Sequence, residues 1–170
     1  MNVERHRSEA AGTPLRFAVL TVSDTRDEAS DRSGTKLVEL VTAAGGEISS
    51  RRIVRDEIGA IREAARAAIA DRATDILLVT GGTGVAPRDV TPEAIEPLLE
   101  KLLPGFGELF RALSFEQIGP AAMLSRARAG VSSGTAVFLL PGSPAALELA
   151  LNRLILPEAS HLLTQARRRD

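Results

Sequence analysis

The chain has no cysteine, tryptophan or tyrosine, and only two histidines among its 170 residues. Without cysteine there is no disulfide, iron–sulfur cluster, thiol nucleophile or Cys-ligated zinc within it. That composition is compatible with a reducing cytoplasm, where the protein is expected to act. Five phenylalanines are its whole aromatic content, too few for a base-stacking platform or an aromatic carbohydrate cleft. No apolar run approaches the roughly 20 residues that span a bilayer, and residues 1–14 lack the apolar stretch of a signal peptide. The expectation is a soluble protein with no membrane partner. An excess of one charge is also missing: 21 Lys and Arg face 22 Asp and Glu, for a net charge of −1. No global field therefore recruits nucleic acid, and any anion must be bound locally. His6 and His161 stand apart from the polar loops described below, which argues against a Ser-His-Asp triad or a His-ligated metal.

What is present is an aliphatic core in a chain of single-domain length, with 44% hydrophobic residues. Segment 1–14 alternates charges around Gly12 and Pro14 without a helical or strand period, which predicts a flexible arm ahead of one domain over 15–170. Short apolar runs predict strands at 17–22, 47–54, 76–80 and 135–140. Arg51 and Arg52 place the second of these at a sheet edge. Between them, Leu37, Leu40 and Val41 predict a helix capped by Ser33 and stopped at Gly45-Gly46, and Ile58 to Arg72 carries a second. A third is expected from a Thr91 or Asp89 cap through Leu102, a fourth over 106–118, and one from a Ser143 cap with Pro144 at its first position. A last amphipathic segment spans 157–167, while 123–131 has no decided type. Alternating strands and helices of this length predict an α/β fold whose mostly parallel sheet is covered on both faces, in three α/β/α layers.

Each expected strand runs into a small polar loop: Ser23-Asp24-Thr25, Arg55-Asp56-Glu57, Thr80-Gly81-Gly82-Thr83-Gly84 through Asp89, and Pro141-Gly142-Ser143. In a parallel sheet these carboxyl ends share one edge, so the loops are expected to share one pocket. Three glycines within four residues bring bare N–H groups up to an anion. No Lys-Ser/Thr closes the loop, so the P-loop pattern fails, and the spacing is not Gly-x-Gly-x-x-Gly. Arg88 suits a forked grip on phosphate, and an aspartate beside a phosphate suits Mg²⁺, which prefers one or two carboxylates plus substrate oxygens. Asp24 and Asp56 equally suit helix capping, whereas Thr91-Pro92 already supplies a helix start after Asp89. Arg126 and Arg128 read equally as a solvated strand face or as ligand contacts, and the arginines at 167–169 as a solvated tail.

Five motifs in order carry a family resemblance. They are Thr-Val-Ser-Asp-Thr at 21–25, Gly-Gly-Thr-Gly-x-x-Pro-Arg-Asp-Val-Thr-Pro-Glu-Ala at 81–94, Pro-Gly-Phe-Gly-Glu-Leu-Phe-Arg at 104–111, Ser125-Arg126, and Leu-Pro-Gly-Ser-Pro at 140–144. Over about 15–160 the chain resembles the MoaB/MogA family of molybdenum cofactor biosynthesis proteins, with 106–131 closer to the MoaB branch. The resemblance implies a molybdopterin-binding domain over 15–170. It also implies assembly as a homotrimer or homohexamer, with other molybdenum cofactor biosynthesis proteins as further partners. It implies Mg-ATP-dependent adenylylation of molybdopterin, with Asp56 and Asp89 as the catalytic and Mg²⁺-handling pair. By the same resemblance the pterin and nucleotide pocket takes in Ser23, Asp24, Thr25, Thr80, Gly81, Gly82, Thr83, Gly84, Ser114, Ser125, Pro141, Gly142 and Ser143.

Adenylyl transfer suits a site without histidine, because the attacking phosphate is already ionised at neutral pH. The alternative is a non-catalytic molybdopterin carrier, and a third reading is a generic Gly-loop nucleotide-binding domain. Pterin binding with ATP use, pterin binding without it, and ATP binding without pterin distinguish the three. Phe106, Phe110 and Phe115 mark 106–118 as a subunit interface or as core packing.

Overall fold

The computed structural model describes residues 14–168, so His6 and nearly all of the expected N-terminal arm lie outside the described residues, as does Arg169. Strands form at β1 (Arg16–Val22), β2 (Glu47–Val54), β3 (Ile76–Thr80), β4 (Lys101–Leu102), β5 (Arg128–Ser132) and β6 (Thr135–Leu140). Helices form at α1 (Arg32–Ala43), α2 (Ile58–Ala70), α3 (Thr91–Ile95), α4 (Pro104–Ile118), α5 (Pro144–Ala150) and α6 (Leu156–Arg167). The sheet order is β2-β1-β3-β6-β5-β4. The first four strands in that order run parallel, and β5 and β4 add an antiparallel edge.

The alternation of side chains along each strand builds two cores. Phe17, Val19, Ile76, Leu78, Ala136, Phe138 and Leu140 face α1, α4, α5 and α6 through Leu37, Val41, Phe110, Leu147 and Leu163. Ala18, Leu20, Leu77, Val79, Val137 and Leu139 face α2 and α3 through Ile61, Ala65, Ala94 and Ile95. Because β3 is central and fully buried, its Leu77 and Leu78 each contribute about 1.5–3 kcal/mol by leaving water. This strand therefore forms a rigid base for the glycine loop that follows it.

Several local expectations are corrected. Asp31, not Ser33, caps α1, its carboxylate accepting from the Gly34 amide at 2.8 Å. The helix expected to reach Leu102 ends at Ile95 and continues as a 3₁₀ turn over Glu96–Leu98. Pro97 has no N–H to return to the Glu93 carbonyl, and Arg62 donates to the carbonyls of Glu93 and Ala94 instead. Segment 123–131 resolves into the end of a 3₁₀ turn (Gly119–Leu124) and most of β5. A two-residue turn then joins β5 to β6, with Ser133 at φ 51° and Gly134 at φ 76°, the paired positive φ that matches strand twist.

The two C-terminal helices are continuous through a π turn at Leu151–Ile155, which absorbs the amide that Pro157 lacks. Arg167 is not a solvated tail. It donates to Asp75 Oδ1 at 2.8 Å and to the Gly134 carbonyl at 2.9 Å, at the sheet edge opposite the polar loops. The phenylalanines of α4 divide: Phe110 is buried and Phe106 packs edge-on against Phe138 at 5.1 Å, whereas Phe115 is 58% exposed.

Candidate functional site

The carboxyl ends of β1, β2, β3 and β6 bring their loops to one rim, and short hydrogen bonds tie those loops together. After β1, the Ser23 amide donates to the Val54 carbonyl, and Asp24 Oδ1 accepts the Asp56 amide at 3.1 Å. After β3, Thr80 Oγ1 donates to the Pro141 carbonyl at 2.9 Å, and Thr91 Oγ1 to the Gly81 carbonyl at 2.8 Å. Between the β1 and β6 loops, Arg26 donates to Ser33 Oγ, which donates in turn to the Gly142 carbonyl at 2.9 Å. The hydroxyl that sequence reasoning assigned to a helix cap thus joins two site loops. Ser143 does cap α5, accepting from the Ala146 amide.

The glycine loop has a backbone only glycine accommodates at its second position. Gly82 has φ +63°, and a Cβ there would stand 2.4 Å from Thr91 Oγ1 and 3.2 Å from Asp56 Oδ1. The Asp56 carboxylate therefore lies directly against this backbone. Gly84 lets the Asp89 carboxylate fold back: Oδ2 would be 2.7 Å from a Cβ at 84, and it accepts the Ala86 amide at 2.8 Å. One Asp89 oxygen is thus spent on the loop, which fixes the direction of the other. The amides of Gly82, Thr83, Gly84 and Val85 find no acceptor among the described residues, which leaves consecutive donors for an anion.

A cavity of about 200 Å³ results, and Ser23, Asp24, Thr25, Asp56, Thr80, Gly81, Gly82, Asp89 and Gly142 line it together with Arg26, Ser33 and Arg88. Thr83, Gly84, Pro141 and Ser143 belong to the same loops but are not among the residues that line it. Ser125 lies beyond the glycine loop, its Oγ accepting from the Ala127 amide. Ser114 is buried within α4, where its hydroxyl donates to the Phe110 carbonyl at 2.7 Å, and it does not reach the cavity.

Asp56 does not cap α2, whose first turn follows Glu57 without a side-chain cap. Burial, and then the Asp24 carboxylate, push Asp56 above the usual carboxylate range; Arg88 opposes this and Asp89 adds to it. Like charges facing one cavity favour a bound cation. Among the described residues no three acidic or histidine side chains stand close enough to hold a metal by themselves. The pair Asp56 and Asp89 fits Mg²⁺, which takes one or two carboxylates and completes its shell with water and ligand phosphate.

For Arg126, which the sequence leaves open between a solvated strand face and a ligand contact, the structure removes the first reading. It lies ahead of β5 rather than on a strand face. Its amide donates to the Thr83 carbonyl at 2.9 Å, its Nε to the Gly84 carbonyl at 2.7 Å, and its Nη atoms to Glu93 and the Asp89 carbonyl. One side chain therefore grips both ends of the loop that carries Arg88 and Asp89. The available signal was Ser125-Arg126 standing among the motifs that carry the family resemblance. Arg128 pairs with Glu96.

Residues 18–161 match a family described as a probable molybdopterin binding domain. Molybdenum cofactor biosynthesis protein B of Bacillus subtilis (strain 168) is 48% identical over 169 residues, covering 99% of each chain. A crystal structure of a molybdenum cofactor biosynthesis protein B superposes with a TM-score of 0.90 at 44% identity, over 94% of this chain and 99% of that one. The tungsten cofactor synthesizing protein MoaB from Pyrococcus furiosus gives a TM-score of 0.78 at 38% identity, over 93% and 100% of the two chains.

Proposed function

From the premise that the chain belongs to the molybdopterin-binding domain family of molybdenum cofactor biosynthesis proteins, we propose that it binds molybdopterin at this rim and adenylylates it with Mg-ATP. The observation that carries the reading is the opening of Asp56 and Asp89 onto one cavity beside the glycine loop. In the proposed reaction an oxygen of the pterin's terminal phosphate attacks the α-phosphorus of ATP and pyrophosphate leaves. The nucleophile is already ionised, so the chain's work is to position and to neutralise charge.

The free amides of Gly82 to Val85 donate to phosphate oxygens, and Arg88 offers a guanidinium to the same region. Asp56 and Asp89 hold Mg²⁺, which supplies neutralisation of the phosphate charge when bound. The raised pKa of Asp56 fits that role, since a cation returns the carboxylate to its ionised form. Arg126 holds Asp89 in register from behind the loop.

The assembly belongs to the same proposal. Leu109, Phe115, Ile118, Met123 and Leu124 are all more than half exposed on α4 and the turn after it. Such a surface suits contact between copies in a trimer or hexamer, and a purely monomeric particle in sedimentation would contradict that. Formation of adenylylated pterin from molybdopterin, ATP and Mg²⁺ tests the function itself. No helix among the described residues is long and apolar enough to cross a membrane, and the cytoplasm is the proposed site of action.

A further inference from the structure

The rim cavity adjoins a larger one of about 630 Å³, and the two share Ser23, Asp24 and Arg26. This annex lies on the β2 side, over residues 51–55 and under the loop 23–28. Its charges are unevenly committed. Asp24 accepts the Asp56 amide, and Asp27 accepts from the Ser30 amide and hydroxyl. Arg51 is paired with the buried Asp31, and Arg26 with Ser33. Arg52 and Arg55 have no hydrogen bond or ion pair from their side chains among the described residues, against a single uncommitted carboxylate, Glu28. Two guanidiniums thus remain available to a ligand.

The rim cavity alone is smaller than the roughly 300–1,000 Å³ of an ordinary ligand pocket, yet adenylyl transfer must seat a pterin phosphate and a nucleotide together. The step forms a bond from the pterin phosphate oxygen to the α-phosphorus of ATP. It breaks the bond from that phosphorus to the bridging oxygen, whose electron pair departs with pyrophosphate. In-line displacement puts entering and leaving oxygens on opposite sides of the phosphorus. The sheet order supplies two such sides. The glycine loop after β3 and Gly142 after β6 lie on one flank of Asp24, which follows β1, and the annex beside β2 lies on the other.

We propose that the annex is the subsite for the β- and γ-phosphates of the nucleotide, and hence for the leaving pyrophosphate, with Arg52 and Arg55 as its ligands. This assignment rests on the adenylyl-transfer reading. It divides the site by chemistry, with the phosphorylated pterin held against the glycine loop and the polyphosphate held against β2.

The test titrates inorganic pyrophosphate into the full chain by calorimetry, with neither pterin nor ATP present. It compares the wild type, Arg52→Ala/Arg55→Ala and Arg52→Lys/Arg55→Lys. The double alanine variant is expected to weaken pyrophosphate by about ten-fold or more, to keep its thermal midpoint and to bind molybdopterin as the wild type does. The lysine variant is expected to retain part of the affinity. A wild type that does not bind pyrophosphate, an affinity unchanged in the alanine variant, or an equal loss of molybdopterin affinity would each overturn the assignment. Arginine-dependent pyrophosphate binding in a protein that transfers no AMP would leave the annex standing as a polyphosphate site and remove the adenylyl-transfer reading alone.

Discussion

Arg126 Nε donates to the carbonyl of Gly84 at 2.7 Å, reaching 42 residues back along the chain to the loop it braces. The trans peptide plane makes the consequence definite. With the Thr83 and Gly84 carbonyls turned to Arg126, the amides of Gly84 and Val85 point the other way. The same guanidinium holds the Asp89 carbonyl, so loop shape and carboxylate position depend on one side chain.

Arg126→Gln is therefore expected to lower kcat/KM for adenylyl transfer by about ten-fold or more, while costing about 1–2 kcal/mol of stability. Glu93→Gln, which leaves both carbonyl contacts in place, should have a smaller effect on transfer. Steady-state rates and thermal melts check the pair. Unimpaired turnover in Arg126→Gln would show that the loop keeps its shape without the brace.

The buried Asp31 makes three connections at once. Its carboxylate caps α1 at Gly34, accepts from Thr21 Oγ1 at 2.9 Å and pairs with Arg51 at 2.9 Å. Removing it leaves Arg51 without its charge partner and the helix without its cap. Asp31→Ala should lose about 2–4 kcal/mol in chemical denaturation. A loss below about 0.5 kcal/mol, the range of ordinary surface substitutions, would contradict this account.

Asp75 gives a pH-dependent stability of defined sign. Burial raises its pKa, but hydrogen bonds from Arg16 and Arg167 outweigh burial and hold it below the usual range. The folded protein keeps Asp75 ionised to lower pH than the unfolded chain does. Its contribution is complete above the unfolded carboxylate pKa of about 3.9 and is lost as pH falls through the lower folded value. Asp75→Asn should be less stable than the wild type at pH 7, with the gap closing below about pH 4. Denaturant titrations at several pH values measure that gap, and a gap independent of pH would rule out the linkage.

The sheet and its rim were legible because their signals are local. Ile76 to Val79 is a continuous apolar run that reads as a buried strand, and the glycines after it announce a turn. What escaped depended on distant partners. Helix α3 stops where Pro97 withholds an amide and Arg62, 35 residues away in the sequence, donates to the carbonyls of Glu93 and Ala94. Strand β5 carries Arg128 and Gly130 and becomes a strand by pairing with β6 across a two-residue turn. Ser33 looked like a cap because Asp31, two residues earlier, has equal capping chemistry, and only the fold puts Ser33 within reach of Gly142. Arg126 escaped for the same reason: an arginine before a strand reads equally as solvated or as a ligand contact until the loop it grips is placed beside it.

The most direct test incubates the protein with molybdopterin, ATP and Mg²⁺ and follows pyrophosphate release together with the pterin recovered from the protein, for the wild type and for Asp56→Asn and Asp89→Asn. The account predicts stoichiometric pyrophosphate and adenylylated molybdopterin with the wild type, and neither above background with folded variants. Tight pterin binding without ATP consumption by the wild type, or undiminished transfer by both variants, would contradict it.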